Sequence, residues 1–299
     1  MEISEIIKSN DGSRKYLLTS QENKNKSIEA TYFRYTDNKL PYLCISSQYG
    51  CAVGCVFCET GRQKPVGNML DNEIFQQVKL CENDMRNSYV LSGSEKINTI
   101  LFAGMGEPLL NINNVIKSIK SFRQHNISER ISLTTVGIKK NAELLYDVKL
   151  DNICISMHAT TDKQRDLLIP FKSKFNVKEL LDFFCEYKNK TAIPAIKINY
   201  LLLDGINDSE EDLKRLLNLV DKDIFFVNLK YLNDVSVIPG IKIRPSNKFE
   251  IFYDILSKNN INCKIERSDG TDIFAGCGQL KSKVRDIKTK YKDAGIIKL

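Results

Sequence analysis

The sequence predicts an α/β protein: a partial (β/α)6 barrel with a short N-terminal β-hairpin extension and a C-terminal extension. Two observations carry this. Apolar, β-rich runs alternate with amphipathic segments, the pattern of repeated βα units around a mainly parallel sheet. The six runs are too few for a closed eight-stranded barrel, so the barrel is open.

The barrel strands are read at 42–48, 97–104, 131–137, 152–158, 196–203 and 224–230. Helices are read at 72–86, 113–124, 174–188, 209–220 and 247–259, where apolar residues recur at three- and four-residue steps. Ser209 and Asn176 stand where N-caps belong. Ahead of the barrel, the runs 15–20 and 27–35 flank the polar QENKNK and read as a hairpin. The expected division is therefore an extension at 1–36 and a barrel domain at 37–299 that ends in the segment carrying Cys277. No repeat, low-complexity tract or Pro/Gly-rich linker marks a further domain.

With 299 residues, 42% of them hydrophobic, the chain can bury a substantial core. No stretch approaches eighteen consecutive apolar residues, and the first twenty lack a basic start followed by an apolar run. A cytoplasmic protein with no membrane partner is expected. The net charge of +7 suits a polyanion such as RNA. The lysines are spread along the whole chain, as at 281–293, so a solvated basic face also accounts for them.

Nine cysteines without a secretion signal point to metal ligands, catalytic thiols or core residues rather than a disulfide framework. Four lie between Cys44 and Cys58, and the segment Cys51-Ala-Val-Gly-Cys55-Val-Phe-Cys58 places three thiols within eight residues, directly after a strand. A structural zinc site or an electron-transfer cluster takes four protein ligands, whereas three leave one iron open for substrate. A zinc site completed by Cys44 or a distant histidine is the plain alternative.

This Cys-x3-Cys-x2-Cys spacing resembles the radical S-adenosylmethionine (SAM) superfamily, in which a [4Fe-4S] cluster on such cysteines binds SAM at the open iron. The resemblance makes Cys51, Cys55 and Cys58 the cluster ligands. In Gly104-Met105-Gly106-Glu107-Pro108, Gly106 and Glu107 match the SAM-binding turn, with Glu107 at the position that accepts the methionine ammonium. Thr134, Ser156, Met157, His158 and Asn233 match further SAM-contacting positions, all at predicted C-terminal strand ends. Without the resemblance, Thr134 and Ser156 are ordinary strand residues and His158 a satisfied core histidine.

Three longer stretches narrow the family: Cys44-Ile-Ser-Ser-Gln-Tyr-Gly-Cys51, Phe102-Ala-Gly-Met-Gly-Glu-Pro-Leu-Leu110 and Asp272-Ile-Phe-Ala-Gly-Cys277-Gly-Gln-Leu280. Together they resemble the RlmN/Cfr methyltransferases, from about Ser27 to Leu280. Those enzymes methylate adenosine at carbon 2 or carbon 8 in ribosomal RNA, and some tRNAs at carbon 2. The resemblance implies two SAM molecules per turnover, a methyl group carried on Cys277, release of the product by Cys44 through a disulfide with Cys277, and Glu29 as an acid–base residue. An electron-poor ring carbon is a feeble nucleophile, which is why a radical route is needed. The Glu-Pro after Gly106 resembles the carbon-2 branch, while Cys44-Ile-Ser-Ser also occurs in the other.

The sequence departs from the family in three places. The ribosomal enzymes carry a helical accessory domain before the hairpin, and this chain reads as a short form without it. The family's basic residue four positions before Gly270 is Glu266 here, with Arg267 one place later. The spacing from Glu29 to Cys44 is about two residues longer. An RNA substrate (rRNA or tRNA), a reducing partner such as flavodoxin or ferredoxin, and a monomer complete the expectation. Two alternatives stay open: the same chemistry on a non-RNA heteroaromatic metabolite, and a non-catalytic cluster protein that binds RNA or senses SAM or redox state.

Overall fold

The computed structural model describes residues 1–34, 40–235 and 243–281. The expected boundary between residues 36 and 37 lies outside these residues, as does the C-terminal extension from residue 282 onward.

The chain opens with β1 (Glu2–Lys8), β2 (Arg14–Thr19) and β3 (Ser27–Phe33), an antiparallel meander that contains the predicted hairpin. β3 pairs antiparallel with β4 (Tyr42–Ile45), the first barrel strand. A two-residue ribbon, β5 (Gln48–Tyr49) with β6 (Gly67–Asn68), brackets the cysteine loop. α1 (Asp71–Asn87), β7 (Ile97–Phe102), α2 (Ile112–Gln124), β8 (Ser128–Thr135), a 3-10 helix (Lys139–Asp147) and β9 (Asn152–Ser156) follow. Then come α3 (Asp162–Leu168), α4 (Val177–Lys190), β10 (Ile196–Leu201), α5 (Glu210–Leu219), β11 (Phe225–Lys230), α6 (Phe249–Lys258) and β12 (Cys263–Glu266). The ten-stranded sheet runs β1-β2-β3-β4-β7-β8-β9-β10-β11-β12, parallel from β4 onward.

All six predicted strands and all five predicted helices are present, and Asn176 and Ser209 cap α4 and α5 through their side chains. Among the elements not predicted are β1, β6, β12, the 3-10 helix at Lys139–Asp147 and α3. β1 carries charges at every third position, Glu2, Glu5 and Lys8, and becomes a strand by pairing with β2; β12 is four residues long and is ordered by β11. The crossover from β8 to β9 is a 3-10 helix, and seven-residue α3 precedes α4.

Parallel strands covered on both faces read as continuous apolar runs, yet these strands alternate. Successive side chains point to opposite faces, so register decides what lines up. One face presents Tyr16, Ile28, Leu43, Ile100, Ile131, Ile153, Ile198 and Val227, all fully buried. Each such side chain contributes about 1.5–3 kcal/mol. The opposite face carries Glu29, Thr31 and Cys44 on β3 and β4, then Ser132, Thr134, Cys154 and Ser156. It continues through Lys197, Asn199, Asn228, Lys230 and Glu266. The chemistry-bearing residues thus share one face.

Gln77 of α1 fastens the end of β4 to the outer helices: its Oε1 accepts from Ser46 N (3.0 Å) and its Nε2 donates to Ser46 O (2.7 Å), all buried. Gln77→Ala leaves two buried backbone groups unsatisfied, so a loss of about 2–4 kcal/mol is expected in urea unfolding; a loss under about 0.5 kcal/mol would contradict this reading of Ser46.

Candidate active site

The turn after β7 presses on the turn after β4. Gly104 N donates to Ile45 O, and a Cβ on Gly104 would stand 2.7 Å from that oxygen. Gly106 has φ +99°, and its Cβ would meet Gln48 Cβ at 2.6 Å. Only glycine fits either position. Ser46 completes the joint, donating to Glu29 O (2.6 Å) and accepting from Met105 N (2.8 Å).

Glu107 is buried beside this joint. Its carboxylate accepts from Thr135 Oγ1, Leu109 N (3.0 Å) and Val136 N (2.9 Å). Burial raises its pKa, against the pull of those donors. A carboxylate has about four lone-pair sites, so one is left for an ammonium.

The cysteine loop turns through Gly54, at φ +75°, and Cys58 N donates to Cys55 O (3.1 Å). A Cβ on Gly61 would lie 2.9 Å from Cys55 N, so the following turn closes tightly on the loop. Burial, with the neighbouring thiols adding, raises all three thiol pKa values, Cys51 to about 12. Among the described residues no group of three Cys, His, Asp or Glu side chains gathers closely enough to hold a single metal ion. A zinc site needs that convergence, whereas a cubane takes each thiolate on a different iron. Three thiols on one tight loop, Cys55 buried and Cys51 and Cys58 partly so, fit a [4Fe-4S] cluster. Two polar atoms on the inner face, Thr31 Oγ1 and Asn228 Oδ1, are buried without a partner among the described residues, which leaves them available to a bound group.

The segment with Cys277 is stitched to that loop. Glu59 N donates to Gly278 O (2.7 Å) and Thr60 Oγ1 to Leu280 O (2.7 Å); a Cβ on Gly278 would stand 2.9 Å from Phe57 O. Asn233 Nδ2 donates to Cys277 O and Ser268 Oγ, both at 2.8 Å, so Asn233 anchors the Cys277 turn. Cys277 is exposed. It stands close enough to Cys44 and Cys58 for its charge to raise both their thiol pKa values, after burial; Cys44, packed against Phe33, Ile273 and Ala275, reaches about 12. All nine cysteines are free thiols.

The other predicted residues lie along the same strand ends. Thr134 faces Cys154 across the ladder and hydrogen-bonds its thiol. Ser156 O accepts from Arg165 Nη2 (3.1 Å), and Met157 is fully buried. His158, at φ +55°, accepts from Leu201 N at Nδ1 (2.9 Å) and meets Phe57 of the cysteine loop edge-on at 4.9 Å. Burial, then Arg165 and Lys230, push its pKa down to about 3, so the ring is neutral. It is a satisfied buried histidine that touches the loop through Phe57.

Four charged residues here were not singled out as site residues. Lys15 pairs with Glu29 (Nζ–Oε1 3.5 Å) and donates to Phe274 O (3.4 Å). Lys230 pairs with Glu266 directly across the β11–β12 ladder at 2.9 Å. Burial raises Glu266, but Lys230 and Lys264 outweigh it and bring the carboxyl down to about 2. Arg165 is fully buried. A charged side chain placed inward at alternate strand positions was the available signal for Lys15, Lys230 and Glu266; none existed for Arg165.

Glu29 accepts from Lys281 N at Oε2 (3.0 Å), and burial lifts its pKa to about 7 despite Lys15. A folded pKa raised from 4.5 gives a contribution that is complete below pH 4.5 and lost as pH rises through about 7. Relative to Glu29→Gln, the wild type is therefore expected to lose on the order of 3 kcal/mol between about pH 4.5 and pH 7.5 in denaturant titrations. A pH-independent difference would place the carboxyl's pKa near 4.5.

A family model described as the radical SAM superfamily matches residues 45–217. The dual-specificity RNA methyltransferase RlmN of Paracoccus denitrificans is 37% identical over 287 residues, covering 91% of this chain and 70% of that protein. The probable dual-specificity RNA methyltransferase RlmN of Thermotoga maritima is 34% identical over 278 residues, covering 91% and 77%. The crystal structure of a radical SAM methyltransferase from Sphaerobacter thermophilus aligns with a TM-score of 0.84 at 28% identity, over 94% of this chain and 81% of that one. The fold, the three-cysteine loop and these likenesses agree: the chain belongs to the radical SAM superfamily and, within it, to the RlmN family of RNA methyltransferases, enzymes that use a [4Fe-4S] cluster and SAM.

Proposed function

We propose that the protein methylates a ring carbon of adenosine in ribosomal or transfer RNA, carbon 2 in preference to carbon 8, with Cys277 as methyl carrier and Cys44 as the resolving thiol. The observation that carries this is the setting of Cys277: exposed, stitched to the cysteine loop through Glu59 and Thr60, and beside the buried Cys44. A carrier must meet both the methyl donor and a substrate base, and a resolving thiol must reach the carrier.

Cys51, Cys55 and Cys58 hold the cluster, and Gly106, Glu107, Thr134, Ser156, Met157, His158 and Asn233 form the SAM side of the site. When bound, the cluster supplies the electron that makes SAM the source of a hydrogen-abstracting radical. Cys277 sulfur first displaces the methyl of one SAM, its S–C bond forming as the sulfonium bond breaks, and S-adenosylhomocysteine leaves. The methyl gives up one hydrogen atom and its carbon bonds to the ring. After an electron and the ring proton depart, Cys44 attacks the Cys277 sulfur, a disulfide forms, and the electron pair of the broken S–C bond takes up a proton on the new methyl group. Glu29, near neutral in pKa, is the acid–base residue for these transfers.

On the substrate side, Arg267 sits over Tyr231 (4.0 Å to the ring centroid), which stacks on Phe249 at 3.8 Å. Arg267 is exposed and neighbours Ser268, itself bonded to the Asn233 that anchors Cys277. A planar cation of this kind suits an unstacked nucleobase. The protein works as a cytoplasmic monomer with a reducing partner such as flavodoxin or ferredoxin; among the described residues no helix is long and apolar enough to cross a membrane.

The test is anaerobic incubation of the reconstituted, reduced protein with methyl-deuterated SAM and unmodified total RNA, followed by nucleoside mass spectrometry. Labelled 2-methyladenosine with two of three deuteriums retained is expected, since one leaves in hydrogen abstraction. Cys277→Ala should give no product, and Cys44→Ala should leave RNA covalently attached to the enzyme on denaturing gels. Normal turnover by either variant contradicts the cycle, and a methylated Cys277 without labelled RNA redirects it to a small heteroaromatic substrate. Arg267→Ala should raise KM for RNA roughly tenfold with kcat retained; an unchanged KM removes the stacking role.

A further inference from the structure

Arg165 has the bulkiest of the fully buried side chains, with no accessible surface. Buried guanidinium groups are normally paired with carboxylates, because leaving a charge unpaired in the interior is costly. All its hydrogen bonds among the described residues go to carbonyl oxygens: Nη1 to Phe175 O (2.7 Å), Nη2 to Val136 O (2.6 Å) and to Ser156 O (3.1 Å). Its Nε is buried with no partner. The nearby carboxylates on α3 are otherwise engaged: Asp166 pairs with Lys174, and Asp162 accepts from Val177 N (2.8 Å). Glu107 spends its oxygens on Thr135, Leu109 and Val136.

The place of this charge gives it a purpose. The end of α3 backs the cysteine loop: Val56 N donates to Leu168 O (3.1 Å), and Pro170 Cγ lies 3.8 Å from where a Cβ on Gly54 would stand. Val136 and Ser156, whose carbonyls grip the guanidinium, are at the C-terminal ends of β8 and β9. Arg165 and the Cys55 thiol are near enough to act on one another electrostatically. Three thiolates on an oxidised cubane leave a net negative charge, and reduction adds another. A fixed, buried cation stabilises the reduced form more than the oxidised one.

We propose that Arg165 is the counter-ion of the cluster, a positioning residue held behind the cysteine loop by three backbone carbonyls, and that it makes the cluster easier to reduce. This rests on the cluster assigned to Cys51, Cys55 and Cys58. Arginine suits the task because its charge is permanent and its fork spans three oxygens.

The experiment is an anaerobic redox titration of the reconstituted full-length protein without SAM, followed by electron paramagnetic resonance, with iron content measured in parallel. Arg165→Gln keeps an amide donor for the carbonyls without the charge; Arg165→Lys keeps the charge without the fork. At a fixed poise, Arg165→Gln is expected to lower the reduced-to-oxidised ratio at least tenfold, a fall of about 59 mV for one electron, while Arg165→Lys stays within about threefold of wild type. Equal shifts in both variants, no shift in Arg165→Gln, or loss of iron from Arg165→Gln would overturn the proposal in favour of a purely structural role. A wild type that forms no reducible cubane overturns the cluster assignment itself, and the counter-ion with it.

Discussion

The register of the ten-stranded sheet is the constraint on which the rest depends. Side chains alternate between faces with a period of two, so a slip of one residue between β3 and β12 would exchange the core face of a strand for its other face, which on most of these strands is polar. In register, Ile28, Leu43, Ile100, Ile131, Ile153, Ile198 and Val227 are sealed under the helices. Glu29, Cys44, Thr134, Ser156, Asn199 and Lys230 then fall on the other face without separate instruction. The hydrophobic core thereby positions the site, since a mismatched active face would also be a mismatched core. The antiparallel meander takes part in this, because β3 carries Glu29 into the same surface that β4 begins with Cys44.

Much of this was legible in the sequence. The period-two pattern of Asn152-Ile-Cys-Ile-Ser156 and Ile196-Lys-Ile-Asn-Tyr200 marks strands with one polar face, and the Cys51–Cys58 spacing points to a cluster ligand set before any fold is known. β12 was not legible, because four residues reading Cys-Lys-Ile-Glu become a strand only through the ladder with β11. Arg165 was hidden for a different reason. On a seven-residue helix within Asp-Lys-Gln-Arg-Asp it reads as one of several surface charges, and its burial arises from tertiary packing of α3 against the cysteine loop. Asn233 reads as a loop residue near a ligand, and only the fold gives it the backbone of Cys277 to hold.

The departure at Glu266 has a physical answer in the same register. A cation expected on β12 stands instead directly across the ladder, as Lys230 on β11, with Glu266 as its partner. Burial opposes charge on Lys230, but Glu266 and then Cys277 raise its pKa, so the ammonium stays charged beside Cys277. Lys15 and Glu29 form the comparable pair at the other edge, bound to Phe274 O and Lys281 N on either side of Cys277. Buried pairs of this kind add little net stability, because desolvation offsets most of their attraction. Their value lies in placement: the segment that carries Cys277 is held through polar contacts at both ends as well as by the apolar packing of Ile273, Ala275 and Leu280.

The contrast between the two thiols outside the cluster orders the proposed cycle. Cys44 is buried and its pKa is pushed up to about 12 by burial and then by the charge of Cys277, so near neutral pH it stays a thiol and is a poor nucleophile toward SAM. Cys277 is exposed, and the methyl donor can reach it. Lys230, whose charge favours the Cys44 thiolate, is in place to stabilise it at the resolving step of the proposed cycle. A premature Cys44–Cys277 disulfide would idle the enzyme; burial of one partner and loading of the other keep attack on the Cys277 sulfur for the step at which a base must be released.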